Sequence, residues 1–309
     1  MSKGKIGILF HPDCALHEMG ENHPESPQRL QVIETALKHS ELNPCLNFIK
    51  ANTADFEKVT RAHDKQYLDN LINIAPKFGY TKIDEDTMMN PWTLKAALFA
   101  AGSVIQAVDL VMEQVITQAF CNVRPPGHHA LHNKAMGFCF LNNVAIGVLH
   151  ALTEYSLKRV AIIDFDVHHG NGTEDIIKDK TQVLFCSSYQ YPFYPQSPII
   201  QNNPHILHLP LQAFTDSKTF REGVSKQWLG PLREFAPDFI FISAGFDAHY
   251  SDPIGGLKLT EDDYYWITKE VFSIAKECCN GRVVSSLEGG YNLSHLGSCV
   301  VSHLKGLLA

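Results

Sequence analysis

One stretch decides how the rest of the chain is interpreted: Val160–Gly172, which reads V-A-I-I-D-F-D-V-H-H-G-N-G. Its first four residues are apolar and mostly β-branched, which is typical of a buried strand. The polar side chains of Asp164, Asp166 and His168 then alternate with apolar ones. In an extended chain, this period of two predicts that all three lie on one side. The pattern favours either a divalent-metal site at the end of the strand or a strand followed by a polar capping loop.

Predicted strands and helices alternate on both sides of this stretch. Apolar runs predict strands at Lys5–Phe10, Gln118–Val123, Val160–Asp164, Val183–Ser187, Phe239–Ala244 and Arg282–Leu287. Periodicity and capping residues predict helices over Pro27–His39, Asp64–Ala75, Pro91–Gln114, Asn142–Ser156, Lys218–Phe235, Thr260–Glu277 and Leu293–Leu308. Such alternation predicts an α/β fold with helices on both faces of a parallel sheet.

Residues capable of chemistry follow four of the predicted strands directly. They are His128 and His129, the Asp164–His168 segment, Asp247, and the Glu288–Tyr291 segment. Because the carboxyl ends of parallel strands lie along one edge of a sheet, where ligands bind, these groups are expected to converge there. Four polar clusters at equivalent positions are hard to explain by chance capping.

Composition excludes several classes of protein. The 309 residues are sufficient for a large core, and no linker or repeat divides them, so one domain over 1–309 is expected. The formal net charge of -7 argues against general nucleic-acid binding. The eight cysteines form no C-x-x-C pair, which argues against a zinc ribbon or a disulfide framework. No signal-peptide core or uninterrupted membrane-length apolar run is evident, so a cytoplasmic location without membrane contact is expected.

The polar clusters include a candidate three-ligand metal site. Asp166, His168 and Asp247 offer two carboxylates and one imidazole, and three protein ligands with an open position are typical of catalytic zinc. The oxygen-rich set also suits Fe²⁺. The structural alternative is that Asp247 only caps the turn that precedes Ala248.

The remaining polar residues suggest hydrolysis. His128 and His129 are candidates for proton transfer, with Asp164 or Asn171 as orienting partners. Tyr291, in a Gly-Gly turn, is a candidate donor to a developing oxyanion, or else an aromatic that packs on the last helix. Because G-x-S-x-G, H-E-x-x-H and P-loop motifs are absent, metal-assisted hydrolysis of an amide or ester is favoured over serine catalysis or phosphoryl transfer.

In order and spacing, these motifs resemble those of the zinc-dependent histone deacetylase family, including its bacterial class II-like members and the acetylpolyamine amidohydrolases. The resemblance covers nearly the whole chain and implies the arginase/deacetylase fold, with an eight-stranded parallel sheet. The matching stretches are Gly20–Leu30, Arg124–Ala130, Gly137–Asn142, Asp164–Gly172, Gly245–His249 and Glu288–Asn292.

The resemblance also implies roles for the catalytic residues. His129 would be the main general base and acid, oriented by Asn171. His128, paired with Asp164, would be its electrostatic partner. Tyr291 would polarise the substrate carbonyl. The Zn²⁺ ligands would be Asp166, His168 and Asp247, and a structural K⁺ would bind Asp164 together with Asp166, His168, Ser187 and Ser188.

The same resemblance implies a tunnel for an acyl-lysine side chain. Gly137 and Phe138 would line it, with Tyr194 facing Phe138, and Gly289 would also contact substrate. One residue of Asp84–Asp86 would hold the substrate backbone at the rim. The chain departs from the family pattern at Ser187-Ser188-Tyr189 and at Tyr194-Pro195-Gln196-Ser197-Pro198, which affects the expected substrate preference.

Three other functions are considered. An acetylpolyamine amidohydrolase would use the same chemistry on an acetylated small amine. Ile254, however, occupies a position where a polyamine-selective relative has an acid, so acetylated-lysine protein or peptide is favoured. A non-catalytic acyl-lysine binder would not need Tyr291 and both histidines. A two-manganese ureohydrolase would need more bridging acids than the sequence offers.

Overall fold

A computed structural model describes residues 6–196 and 203–309. Its main sheet has eight parallel strands in the order β2-β1-β5-β10-β9-β6-β7-β8, and β3 and β4 form a separate two-stranded antiparallel pair. The strands are β1 (Ile6–Phe10), β2 (Leu46–Lys50), β3 (Thr81–Lys82), β4 (Met88–Met89), β5 (Gln118–Cys121), β6 (Val160–Asp164), β7 (Val183–Gln190), β8 (Ile206–Leu211), β9 (Phe239–Ala244) and β10 (Val283–Leu287).

Helices cover both faces of this sheet, as predicted. In one group α1 and α9 pack on α10, and in the other α4 packs on α5. Every residue of β5, β6, β7, β9 and β10 is buried, which accounts for their continuous apolar runs. The helices are α1 (Gln28–His39), α2 (Phe56–Val59), α3 (Lys65–Ile74), α4 (Thr93–Met112), α5 (Asn143–Glu154), α6 (Asn171–Ile177), α7 (Ser217–Gln227), α8 (Leu229–Phe235), α9 (Glu261–Cys279) and α10 (Leu296–Gly306).

The predicted strands are the six inner strands of the sheet, and the two missed strands are its edges. β2 and β8 each pair on one side only, and each contains partly exposed positions that interrupt the apolar run. Pro210 in β8 is tolerated because an edge strand leaves one side of its backbone unpaired. Lys5, predicted to begin β1, lies outside the described residues.

The helix predicted over Lys218–Phe235 is wrong as a single element, because it divides into α7 and α8 at Trp228. Pro231 has no backbone N–H and cannot donate to the carbonyl of Gln227, so the hydrogen-bond ladder of α7 cannot continue through it. The other predicted helices differ from the observed ones by a few residues at their ends.

α4 is the longest helix that packs on the sheet. Among the described residues it is also the one helix with the length and apolar composition of a possible membrane span. In this structure, however, 61% of its apolar window is buried inside the protein. Core helices pass the same length and composition test, and the burial of α4 agrees with the helix predicted to pack on a sheet.

The strand order determines where the candidate site lies. β5, β10, β9 and β6 are consecutive neighbours, so the four polar clusters that follow them meet at one edge of the sheet. The register aligns Asp164 at the end of β6 with Ser243 on β9 and Ser187 on β7. The edge predicted from sequence is therefore a continuous rim of four adjacent strand ends.

Candidate active site

The three predicted metal ligands lie together at this rim. His168 Nδ1 is 3.0 Å from Asp166 Oδ1 and 3.2 Å from Asp247 Oδ2. All three side chains are buried, and one ligand atom from each lies within 4.8 Å of the others. The turn-capping alternative for Asp247 is insufficient on its own, because its second carboxylate oxygen is directed at His168 rather than at the backbone.

The surroundings of these ligands fit a divalent cation. Asp247 Oδ1 accepts a hydrogen bond from the N–H of Val167 at 2.8 Å, whereas Oδ2 is buried and has no hydrogen-bond partner among the described residues. The N–H of Gly289 donates to Asp166 Oδ2 at 2.8 Å. A Cβ atom at Gly245 or Gly289 would overlap these carboxylates, so both positions need glycine.

The charges of the ligand groups are strongly coupled. Burial disfavours a charged imidazole, but hydrogen bonds and charge from Asp166 and Asp247 outweigh it and raise the pKa of His168 to about 9. Burial and the neighbouring Asp166 carboxylate raise the pKa of Asp247 to about 7. A divalent cation would favour the deprotonated form of each group, since metal ligands bind without their protons.

His128 and His129 occupy opposite electrostatic environments. The Nδ1–H of His128 donates to Asp164 Oδ2 at 3.0 Å, and the Nδ1–H of His129 donates to Asn171 Oδ1 at 2.7 Å. Burial acts against a charged His128, but Asp166 and Asp164 raise its pKa well above the usual range. Burial, reinforced by the charges of His128 and His168, holds the pKa of His129 well below its usual range. The pair therefore provides one imidazolium and one neutral imidazole.

Glu288 supports the histidine pair, although no specific role for it was predicted from the sequence. Its Oε2 accepts the N–H groups of Gly127 at 2.7 Å and His128 at 3.1 Å, and its Oε1 accepts from the Ser243 hydroxyl at 3.2 Å. Burial raises the pKa of Glu288 to about 7, against the opposing charge of His128. This carboxyl joins the ends of β5, β9 and β10.

Tyr291 lies at the opening of the site. Its N–H donates to Asp252 Oδ2 at 2.7 Å, and the guanidinium of Arg29 lies 4.9 Å from the centre of its ring. Burial raises the pKa of its hydroxyl well above the usual range, and the charges of Asp247 and Asp166 contribute to this shift. The phenol is therefore a neutral donor within electrostatic reach of the metal ligands. Asp252 was not identified from the sequence.

Arg29 connects the N-terminal motif to the site. It donates through Nε to the carbonyl of Gly290 at 2.7 Å and also to the carbonyl of Glu288. Arg29 Nη1 also donates to Glu25 Oε1 at 3.0 Å, and Arg124 donates to the same carboxylate. All three side chains are buried. The matching stretch Gly20–Leu30 thus holds the loop that carries Tyr291.

The expected tunnel residues surround the same opening. The ring of Phe138, which was predicted to face Tyr194 across the tunnel, packs against His23 at 4.7 Å and Tyr291 at 6.0 Å between centroids. Tyr194 contacts His129 and His168, with ring centres 5.1 and 5.9 Å away. Phe193, which the sequence did not single out, stacks on His168 at 5.4 Å.

Phe138 has a left-handed backbone, with φ of 68°, and follows Gly137 with φ of 56°. Such a conformation is unfavourable for an aromatic residue and persists only where the surroundings hold it. The Thr87 hydroxyl provides one such restraint by accepting the Phe138 N–H at 3.1 Å. The loop that carries Thr87 therefore helps to fix the ring beside the opening.

The predicted rim acids form part of that loop. Asp84 Oδ1 accepts the N–H groups of Asp86 and Thr87 at 3.2 and 2.7 Å, so it stabilises the turn. The carbonyl of Asp86 accepts from His23 at 3.1 Å, and burial together with Asp84 raises the pKa of the Asp86 carboxyl. Glu85 is exposed.

The remaining predicted positions lie nearby. Ile254 is partly buried, and its N–H donates to Asp252 Oδ1 at 3.0 Å. Ser187 and Ser188 are buried on β7, and the Ser187 hydroxyl lies 3.0 Å from Nδ1 of His169. Within the divergent rim segment, Ser197 and Pro198 lie outside the described residues.

Comparison with known proteins agrees with this geometry. The family model for the histone deacetylase domain matches residues 23–307. An uncharacterized protein of Synechocystis is 37% identical over 98% of this chain and 99% of its own length. Histone deacetylase 14, chloroplastic, of Arabidopsis thaliana is 36% identical over 97% of this chain and 76% of that protein. The crystal structure of the HDA15 HD domain has a TM-score of 0.91 at 30% identity, covering 98% of this chain and 88% of that one. The chain therefore belongs to the histone deacetylase family, which confirms the resemblance and the fold inferred from its motifs.

Proposed function

We propose that the chain is a zinc-dependent amide hydrolase that removes acetyl or other short acyl groups from the ε-amine of lysine in proteins or peptides. The main support is the convergence of three metal-ligand side chains and a histidine pair of opposite charge preference at four adjacent strand ends. Membership in the histone deacetylase family supports deacetylation as the reaction.

Zinc is the proposed ion because two carboxylates and one imidazole with an open position suit catalytic Zn²⁺, and Fe²⁺ is the alternative. When bound, such an ion supplies Lewis acidity, which polarises an amide carbonyl and makes water more acidic. Asp166, His168 and Asp247 would hold it. A monovalent cation, K⁺, is proposed beside Asp164, with Asp166, His168, Ser187 and Ser188 as the surrounding residues.

The histidine pair would carry the protons. Because Nδ1–H of His129 is bound to Asn171, the free Nε2 of this neutral ring can accept the proton of the attacking water. The water oxygen then bonds to the acyl carbon, and the C–N bond breaks. An imidazolium returns a proton to the leaving amine, which gives the free amine of lysine and a carboxylic acid, and the acid then ionises by losing its proton to water. His128, held by Asp164, would provide the adjacent positive charge.

Tyr291 would donate its hydroxyl hydrogen to the oxygen on which negative charge develops. Replacing it with phenylalanine removes one such donor, so Tyr291→Phe is expected to lower kcat about 10²–10³-fold. Tyr250→Phe is a matched control, because Tyr250 is exposed and lies outside the site. The measurement is hydrolysis of a fluorogenic acetyl-lysine peptide with and without a chelator. Activity that survives both zinc removal and Tyr291→Phe would contradict the proposal, and a chain that only binds the peptide would show no turnover.

An acetylated small amine is the second candidate substrate. A groove of about 600 Å³ adjoins Tyr291, and Glu18 and Glu21 line it, which would favour a cationic substrate. Ile254 favours the peptide instead, because it offers no charge to a second ammonium group. Comparing kcat/KM for acetyl-lysine peptides and N-acetylputrescine separates the two, and a strong preference for the polyamine would reverse the substrate assignment.

A further inference from the structure

A second group of side chains of types that can bind metal ions includes His169, the residue next to His168 in the sequence. His169 follows β6, Glu174 lies on α6 and His208 lies on β8. One ligand atom from each lies within 4.8 Å of the others. The side chains of His169 and Glu174 are 6% exposed, and that of His208 is 8% exposed.

The interatomic distances within this cluster are those of metal ligands. Glu174 Oε2 is 3.0 Å from His169 Nε2 and 3.3 Å from His208 Nε2. A tetrahedral zinc ion with bonds of about 2.0 Å to nitrogen and oxygen separates its ligand atoms by about 3.3 Å. Two imidazoles, one carboxylate and an open position form a ligand set that zinc uses in proteins.

Two of these atoms are buried without a hydrogen bond. His169 Nε2 and Glu174 Oε2 have no hydrogen-bond partner within the described parts of the chain, although they are 3.0 Å apart. The ring nitrogen is therefore not aligned as a donor to the carboxylate. A buried carboxylate oxygen without a partner is costly, and a cation bound between the two atoms would remove that cost.

Hydroxyl groups at the second ring nitrogen, Nδ1, orient both imidazoles. Nδ1 of His169 lies 3.0 Å from the Ser187 hydroxyl, and Nδ1 of His208 lies 3.1 Å from the Tyr189 hydroxyl. Metal-binding histidines usually have the second ring nitrogen hydrogen-bonded, which directs the first nitrogen at the ion. Here β7 supplies both hydroxyl groups, so the two rings present Nε2 to the same point.

We propose that His169, Glu174 and His208 form a second site for a transition-metal ion, with Zn²⁺ as its occupant. It is separate from the catalytic ligands and joins β6, α6 and β8 at the edge of the sheet. The site does not depend on the proposed substrate or mechanism, since none of its three ligands belongs to the catalytic set.

The test is the zinc stoichiometry of the full chain, measured after equilibration with Zn²⁺ and removal of loosely bound ions by gel filtration. Wild type is expected to retain two equivalents. His208→Asn and Glu174→Gln are each expected to retain one. His205→Asn, the same substitution just before β8 and outside the cluster, is expected to retain two.

Asp247→Asn isolates the proposed site from the catalytic one. This variant is expected to keep one equivalent, and to lose it when His208→Asn is added. Replacing zinc with Co²⁺ in Asp247→Asn should give the visible absorption of a four- or five-coordinate ion without a thiolate band. One equivalent in wild type, or no equivalent in folded Asp247→Asn, would overturn the proposal. Two equivalents in folded His208→Asn and Glu174→Gln would also overturn it. Because wild type and Asp247→Asn are decisive, the result does not depend on the folding of the His208 variant.

Discussion

At the residue scale, adjacent His128 and His129 show that the surroundings of an imidazole, rather than its residue type, determine its protonation state. A carboxylate partner stabilises the imidazolium of His128, and an amide partner leaves His129 neutral. Burial and the charges of His128 and His168 lower the pKa of His129 despite the hydrogen bond to Asn171, whereas Asp166 and Asp164 outweigh burial and raise the pKa of His128. The neutral imidazole of His129 is the form that can accept a proton from water.

Substituting the amide partner should therefore change the pH dependence of the reaction. In Asn171→Asp a carboxylate would face Nδ1 of His129 and raise the pKa of that ring by about 1–3 units. Since the base must be neutral, the acidic limb of the kcat–pH profile is expected to move to higher pH. Activity should recover at higher pH, which distinguishes this effect from misfolding. If the acidic limb of the kcat–pH profile does not move, the residue at position 171 does not influence the pKa of His129.

The sequence identified most of the residues that meet at the site, because each follows a strand or belongs to a recognisable motif. It could not identify contacts made by distant loops. Phe193 stacks on His168 from the loop after β7, and Asp252 receives the Tyr291 N–H across a turn. The contacts of Phe138 with His23 and Tyr291 were also not predicted, because its left-handed backbone leaves no clear sequence signal.

At the scale of the elements, the ends of β9 and β10 approach the metal ligands so closely that only glycine fits. Gly245 directly follows β9, and Gly289 lies two residues after β10. The backbones there contact the carboxylates of Asp166 and Asp247. The backbones at these two strand ends therefore pack directly against the carboxylates of Asp166 and Asp247 and limit where they can move.

Adding one methyl group to the backbone at one of these strand ends should weaken metal binding at the catalytic site. Gly245→Ala would place Cβ against the Asp166 carboxylate and displace it, so zinc affinity at the catalytic site is expected to fall about 10–100-fold. Gly230→Ala in α8 is a matched control, since a Cβ there meets nothing within 4 Å. Zinc affinity is measured by competition with a chromophoric chelator. Equal affinities in the two variants would contradict the close packing.

The two strands of the main sheet that were missed from the sequence share a physical cause. β2 and β8 are the outer strands, so only part of each is buried, and their residues lack the continuous apolar run of the six inner strands. The break between α7 and α8 results from Pro231, a local signal present in the sequence but overlooked within an otherwise helical pattern. The inner strands were predicted because their burial is nearly uniform, and the long helices were predicted from their periodicity and capping residues.

At the scale of the whole molecule, buried neutral histidines link stability to pH. His63 donates through Nδ1–H to the carbonyl of Leu131 at 2.9 Å, and its Nε2 accepts the N–H of Asn142 at 2.9 Å. Burial lowers its pKa from 6.5 to about 4, although the hydrogen bond to the carbonyl of Leu131 opposes the shift. Burial also lowers the pKa of His303 to about 3.

These shifts predict a loss of stability in acid. Below its ordinary pKa of 6.5, His63 binds a proton in the unfolded chain but not in the folded one, so the free energy of unfolding falls as pH decreases toward about 4. Between about pH 7.5 and about pH 5, His63 alone should account for about 2 kcal/mol, at about 1.4 kcal/mol per pKa unit.

Urea unfolding of wild type and His63→Gln at both pH values measures this contribution. The variant should lose less stability between them than wild type does, even if it is less stable overall. His39→Gln, at an exposed helix end, should lose as much free energy of unfolding between the two pH values as wild type does. If the pH dependence of the free energy of unfolding is the same in His63→Gln as in wild type, the His63 ring does not link stability to pH.

The position of β10 has a consequence for synthesis on the ribosome. This strand is the last to be made, yet it lies between β5 and β9 in the middle of the sheet. A nascent chain that ends before Val283 has two separate groups of strands with facing unpaired edges, and such edges favour aggregation. Arg29 also lacks the carbonyls of Glu288 and Gly290 until those two residues have been synthesised. Assembly of the metal-binding rim therefore has to wait until β10 and the Glu288–Tyr291 segment that follows it have been synthesised.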